Sequence, residues 1–510
     1  MVQATDIKAR GSRQELPADD PEALNRPSAR VGNSRRFGNT YDAARDSRTR
    51  KSTSRTLKAE DSVLDTSDRR KLTAEARDIV RNFPEAAWCA RKHLDFVASR
   101  NFQARTADSG LNKAIEAHIA WRSQPENCDL AARHPLHRMR RLAEAHAIID
   151  GDIVWLKLAD GRCQAIEGDR IRAPEYGELP PGYAASDFTH GIVTSRGGRA
   201  LEFCVCRRDT NTGGFQFDRI FPAKWMLHHG YFTRYDQIRG ITPLSSALTA
   251  FRDVYEGRTY ALAKSKVAQF FGLAITRKGS EPLGMSLTGA PPERRDYADE
   301  INLSDGPQVI DMDPDEEAKF LENRTPSTEF QEFDRVIVAS ALKSLDIPYS
   351  FHDESFTNFY GSRAALQHYL YSAKQKRANL DNFMDNWTQW QLGMAVANGE
   401  LKLPRTVAFE DLNWQWVPDG MPWWKPLDEI QAYAEAIRLG LTSTQRVCTA
   451  SGEDAIEILD EEVAYLIARA ERAKTVHAAG GRMPDEAPPL PVDPNSPEGA
   501  ALAEQLNGAK

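Results

Sequence analysis

The run from His352 to Arg363, HDESFTNFYGSR, gathers a histidine, two carboxylates and a serine into one short stretch. With Ser362 as nucleophile and His352 and Asp353 behind it, such a set would make a serine hydrolase. The spacing argues otherwise. A nucleophile elbow reads G-x-S-x-G after a buried strand, whereas Ser362 follows Gly361 directly and precedes Arg363, Ala364 and Ala365. A helix cap fits better. Ser362 would accept from first-turn N–H groups of a helix whose apolar stripe is Leu366, Tyr369, Leu370, Ala373, Leu380, Phe383, Met384, Trp387 and Met394. That helix would stop at Asn398-Gly399 and extend roughly 54 Å, too long for one small core to cover.

Metal and phosphate chemistry fare no better. Cys128, His134, His137 and His146 share a segment, but their spacing is not a ligand pattern and Pro135 disturbs any helix presenting them. Cys204 and Cys206 fall on one face of a strand and lack a second pair. No G-x-x-x-x-G-K-[ST] loop occurs. No metal or cofactor site is expected from these residues.

The elements that must position these residues are spread over 510 residues, enough for two or three domains. Mean hydropathy is -0.55, and no apolar run approaches the about 18 residues that span a bilayer. The N-terminus lacks an apolar signal core, which points to the cytosol. Six scattered cysteines read as buried free thiols. The formal net charge of -7 is too mild to identify a partner, but its distribution is uneven. Residues 26–58 hold ten Lys or Arg against Asp42 and Asp46, within an apolar-poor arm that cannot offset its chain entropy. Two readings stand: a solvated tail, or an arm that orders on an acidic partner surface or on nucleic acid.

Order is expected near Lys71. There Thr73, Glu75 and Glu85 with Ile79, Val80, Trp88 and Leu94 suggest helices broken by Pro84. From about 150 to 235 short alternating runs and Gly-rich turns give a β-rich region. Thr242-Pro243 reads as N-cap and N1 of a helix of about eight turns ending before Gly272. A bulky stripe (Leu244, Leu248, Phe251, Tyr255, Leu262) and a small-residue stripe (Ala247, Ala250, Val254, Gly257, Ala261) imply two neighbours. Residues 274–324 break the helical pattern with Gly, Pro and the acidic run DMDPDEEAKFLE, as a compact β-containing insertion would. Near the C-terminus, helices are expected over PLDEIQAYAEAIRLG and GEDAIEILDEEVAYLIARAERAK, followed by a Pro-rich disordered tail.

QIRGITPLSSAL with its long Ala-rich helix ending in QFFGLAI resembles the lambda-type phage portal proteins, in which an Arg-Gly-x-x-Pro-Leu turn opens such a helix. PSTEFQEFDRVIVASALKSLDIPYSFHDESFTNFYGSRAAL is similar to that family's second landmark. Looser matches are EARDIVRNFPEAAW, CDLAARHPLHRMRRLAEAHAIIDGD and WVPDGMPWWKPLDEIQAYAEAIRLGLTSTQRVCTASGEDAIEI, so the resemblance runs in order from about 70 to 470. Departures are Tyr360-Gly361-Ser362-Arg363 for the usual Tyr-Ser-Ser-Arg, Lys425-Pro426-Leu427-Asp428 for Asp-Pro-x-Lys, and Asp346-Ile347-Pro348 without the usual glycine.

The resemblance implies a mainly helical α+β portal fold: a basic arm (1–62), wing (63–242), stem helix (243–273), clip (274–325), second stem helix (326–345), tunnel loop with the long wing helix (346–422), crown (423–478) and disordered tail (479–510). It implies a twelve-copy ring at one capsid vertex of the virion, assembled in host cytoplasm. The ring would conduct double-stranded DNA during packaging and ejection and meet the terminase large subunit, a neck or adaptor protein, the major capsid protein and scaffold, with no membrane partner. The channel would be approached by Asp353, Glu354, Asn358, Tyr360 and Arg363. Subunits would touch through Leu248, Gly257 and Ala261. Asp311, Asp313, Asp315, Glu316 and Glu317 would be clip docking charges or an ordinary exposed loop. The alternatives are the Ser362/His352 hydrolase and the portal of a gene-transfer particle.

Overall fold

The computed structural model describes residues 58–174, 179–209, 214–270, 273–277, 316–320, 327–355, 358–420 and 425–479. The basic arm as far as residue 57 and the Pro-rich tail from 480 lie outside them. The described part is a mainly helical α+β fold. After a single turn, α1 (Glu60–Val63), helix α2 (Thr66–Asn82) opens on Asp65, whose side chain accepts from Asp68 N at 2.8 Å. It therefore starts well before Thr73, because a carboxylate one residue upstream offers the orphan N–H groups a cap. Pro84 breaks the helix as expected and then serves as N1 of α3 (Pro84–Val97). Ile79 of α2 and Cys89, Leu94 and Val97 of α3 enter the main core.

Strand β1 (Arg100–Ala104) leads to α4 (Ser109–Arg122), the short α5 (Pro125–Cys128) and α6 (Leu136–Asp150). The β-rich region follows where alternation predicts it: β2 (Asp152–Lys157), β3 (Cys163–Glu167), β4 (Ile192–Thr194), β5 (Ala200–Arg208), β6 (Phe215–Pro222) and β7 (Met226–Gly230). They form two antiparallel sheets, ordered β3-β2-β7 and β4-β5-β6. Strand β2 is buried on both faces. Ile153 and Trp155 join the helical core, while Val154 and Leu156 pack with Ile166, Phe203 and Val205 in a second cluster. Cys204 and Cys206 do share a face, in a third cluster with Phe188 and Phe215. All six cysteines are free, and burial pushes the Cys89 and Cys128 thiols up to about 12.

The Arg239-Gly240 turn is the polar keystone of this region. Arg239, almost wholly buried, places Nε 2.6 Å and Nη2 2.7 Å from the two oxygens of Asp152, and donates to the carbonyls of Ile171, His190 and Gly168 at 2.6–2.8 Å. Gly240 N also donates to Asp152 at 2.9 Å. A Cβ at Gly240 would sit 2.1 Å from Gly151 O, so only glycine lets the two turns meet. Thr242 Oγ1 donates to Ile148 O and accepts from Leu244 N. The Thr242 cap exists, but on a 3₁₀ turn (Pro243–Ser246); the α-helix proper, α7 (Leu248–Phe270), starts five residues later.

Strands β8 (Leu273–Arg277) and β9 (Glu316–Phe320) pair antiparallel after α7 and before α8 (Thr328–Leu342), whose Ser327 cap accepts from Phe330 N. Helices α7 and α8 are clamped by Arg258, which binds Asp334 through Nε and Nη2 at 3.1 and 2.8 Å and also reaches Glu85 of α3. After α8 the chain reverses at Asp346, whose φ of +59° explains the glycine expected at this turn. Aspartate tolerates that conformation, and Ser372 and Lys376 hold its carboxylate at 2.6 and 2.9 Å.

Helix α9 (Phe359–Ala397) has 39 residues, about 58 Å, and buries Tyr369, Leu380, Phe383, Met384 and Trp387 against the core. Strand β10 (Trp414–Pro418) pairs antiparallel with β1. Three helices follow: α10 (Pro426–Arg438), α11 (Thr444–Ala450) and α12 (Ala455–Ala478). Sequence periodicity anticipates α10 and α12 but not α11.

Candidate channel loop and subunit contacts

Between the 3₁₀ turn at Tyr349–Phe351 and α9 lies the acidic loop. Asp353 accepts from the backbone and hydroxyl of Ser355 at 2.9 and 2.5 Å, hydrogen bonds that hold its carboxyl below the usual range. Glu354 is exposed, and residues 356 and 357 lie outside the described set. The cap of α9 is Asn358, whose Oδ1 accepts from Gly361 N at 2.8 Å, not Ser362. Asn358 is as good a cap as serine, and its use starts the helix four residues earlier, leaving Ser362 inside the first turns. Tyr360 stands exposed, while Arg363 turns to Glu429 of α10 at 3.4 Å. Lys425 lies 5.4 Å above the Phe359 ring. The loop and the start of α9 are thereby tied to the C-terminal helices. His352 packs edge-on against Trp88 and Tyr349. Among the described residues no strand leads directly into Ser362, so the elbow a hydrolase requires is not seen there.

The expected subunit contacts separate. Leu248 is 4% exposed and packs in this chain's own core with Leu244, Phe251 and Val254. Gly257 faces α8: a Cβ there would lie 3.8 Å from the Phe330 ring. Its small size serves pairing within the chain. Ala261 is half-buried. Among the described residues of this helix pair, large apolar side chains left uncovered include Tyr260 (70% exposed) and Leu262 on α7, and Phe333 (63%) and Val336 (66%) on α8. The sequence reading missed Tyr260, Phe333 and Val336. A usable signal was there, since Phe333 and Val336 are three apart on α8 and so share one face.

Among the clip charges, Glu316 and Glu317 start β9, opposite Arg277 and Thr276; Asp311, Asp313 and Asp315 lie outside the described residues. The C-terminal helices have no buried residue, and Leu427, Ile430, Leu441, Ile456, Leu459 and Leu466 are all exposed. Among the described residues no group of His, Cys, Asp or Glu is placed to hold a metal ion. Cys128 instead donates to the Ser123 and His134 carbonyls, and His146 Nδ1 lies 2.6 Å from Asp150. No described helix is long and apolar enough to cross a membrane.

A chain with a buried Arg-Gly turn, a clamped helix pair, a very long helix and uncovered apolar faces can be compared with known families. The model of the family described as phage portal protein, lambda family, matches residues 45–376. The chain belongs to that family. Its members are structural, non-enzymatic connectors, which sets aside the hydrolase reading of Ser362 and His352. No curated protein matches the chain. Among solved structures it is similar to a chain of the neck of an empty gene transfer agent particle, computed with C6 symmetry, at 11% identity over 74% of this chain and 94% of that one, TM-score 0.46. It is similar to a chain of the virion of a native gene transfer agent particle at 12% identity, covering 76% and 99%, TM-score 0.44. A HK97 family phage portal protein from Corynebacterium diphtheriae follows at 12% identity, 60% and 84% coverage and TM-score 0.27. Scores this low carry no weight of their own, and family membership stands on the family match.

Proposed function

We propose that the chain is the repeating subunit of a portal ring at one capsid vertex of a phage or gene-transfer particle, conducting double-stranded DNA during packaging and ejection. The observation that carries this is the set of large apolar side chains on α7, α8, α10 and α12 that the chain itself leaves in water. Contiguous exposed apolar surface marks interaction sites. A head-to-tail contact that closes on itself gives a ring, for which twelve copies are proposed. In this reading α7 and α8 are the stem, the β8-β9 pair is the base of the clip, α9 is the long helix of the wing and α10 to α12 are the crown. Tyr260, Phe333 and Val336 replace Leu248 and Gly257 as subunit contacts.

Asp353, Glu354, Asn358 and Tyr360 would approach the channel, with Arg363 anchoring the loop through Glu429. Lys and Arg there would hold DNA by counterion release, whereas exposed acids bind it weakly and let it slide. The ring would assemble in the host cytoplasm and meet the terminase large subunit, a neck protein, capsid protein and scaffold. Glu316 and Glu317, with Asp311, Asp313 and Asp315, are proposed for docking at the clip. Negative-stain microscopy of the purified chain tests the reading: annular particles with a central hole are expected, and uniformly small single-chain particles would refute it.

A further inference from the structure

A cavity of about 330 Å³ lies between α2 and the β-rich region, apart from every surface assigned above. Arg69, Arg70, Arg77 and Arg81 of α2 form one wall, and Arg172 and Arg239 come from across it. Among the described residues two carboxylates line it, Asp150 and Asp169. Both already serve cations: Asp150 binds Arg77 through Nε at 2.6 Å and Nη2 at 2.7 Å and also His146, while Asp169 Oδ2 accepts from Arg208 at 2.6 Å. Arg239 is saturated by Asp152 and carbonyls, and Arg69 is divided between Gly240 O at 2.7 Å and Asp152 at 3.4 Å. Arg81, exposed at the mouth, has no hydrogen bond or ion pair among the described residues.

Burial, and then the nearby Arg239 charge, bring the Arg69 pKa down to about 10, so like charges crowd here at a cost that an anion would relieve. Two features describe the rest of the ligand. The Arg172 guanidinium lies 4.3 Å over the Phe215 ring, which makes a flat π-rich wall. Asp169 Oδ1 is buried with no hydrogen-bond partner, an acceptor waiting for a hydroxyl or N–H. The volume falls in the range of small-molecule sites, about 300–1,000 Å³.

We propose that this cavity binds a phosphate-bearing molecule of nucleotide size, its phosphate among the arginines at the mouth beside Arg81 and its ring toward the Arg172–Phe215 wall. The same chemistry is offered by a free nucleotide and by the 5′-terminal nucleotide of a DNA strand.

Isothermal titration calorimetry on the full chain tests this with AMP, inorganic phosphate, and a short single strand with or without a 5′-phosphate. AMP should bind once per chain, more tightly than inorganic phosphate. Arg81→Gln should weaken it about tenfold or more, the loss expected of one charged hydrogen bond, with the unfolding midpoint unchanged. A 5′-phosphorylated strand that displaces AMP assigns the site to a DNA end, and one that does not assigns it to a free nucleotide. No binding of AMP beyond that of chloride at matched ionic strength, or equal binding by Arg81→Gln, overturns the proposal. Phosphate binding as tightly as AMP overturns the nucleotide-sized ligand.

Discussion

Asp152 shows how one buried carboxylate can organise a domain. Burial alone would raise its pKa, but the charges of Arg239 and Arg69 and the hydrogen bonds it accepts hold it well below the carboxylate range. Removing one partner of such a pair strands the other. Arg239→Ala should therefore cost about 3–5 kcal/mol in urea unfolding. Because the folded pKa is depressed, the stabilisation is complete above the unfolded value of about 3.9 and lost as pH falls through the acid range. His146 works in the opposite sense. Burial lowers its pKa, yet the hydrogen bond and charge of Asp150 outweigh this and raise it overall. Its contribution is present below about pH 6.5 and lost as pH rises through the folded value. His146→Gln should flatten that part of a stability-against-pH curve and leave the acid limb intact. The Arg-Gly pair was legible in the sequence as a motif. Its partner was not, since Asp152 lies 87 positions away and nothing local marks it as the counter-ion.

At the scale of elements, local signals served well and non-local ones did not. Pro84, the alternation after residue 150, and the long apolar stripe of α9 each act within a few residues, and the corresponding breaks and elements are present. The β1–β10 pair joins segments some three hundred residues apart and leaves no local signal, because a short strand shows its partner only after folding. The two faces of α7 meet two neighbours, α8 and α2, and the neighbour of Gly257 is α8 of the same chain. That placement yields a paired prediction. Gly257→Ala adds a methyl at ordinary contact distance and removes a helix glycine, so it should stabilise the chain by up to about 1 kcal/mol. Gly257→Leu drives further atoms into the Phe330 ring and should destabilise by about 1–3 kcal/mol. Thermal and urea unfolding of both variants would show the reversal of sign.

For the whole molecule, the uncovered faces decide what the fold is for. Tyr260, Phe333 and Val336 project from a helix pair already locked by Arg258, Asp334 and Glu85, so they contribute little to the chain's own folding. Tyr260→Glu combined with Phe333→Glu should leave the unfolding midpoint of the single chain nearly unchanged while preventing its association. Surface substitutions outside buried networks generally act within about 0.5 kcal/mol. Charges placed in the middle of an apolar contact cost several times more. The most direct measurement is the native mass of the purified full-length chain. A closed ring of twelve 57.1 kDa copies gives a single species near about 685 kDa, absent in the double variant. A wild-type chain that remains at 57.1 kDa across salt and concentration would contradict the account.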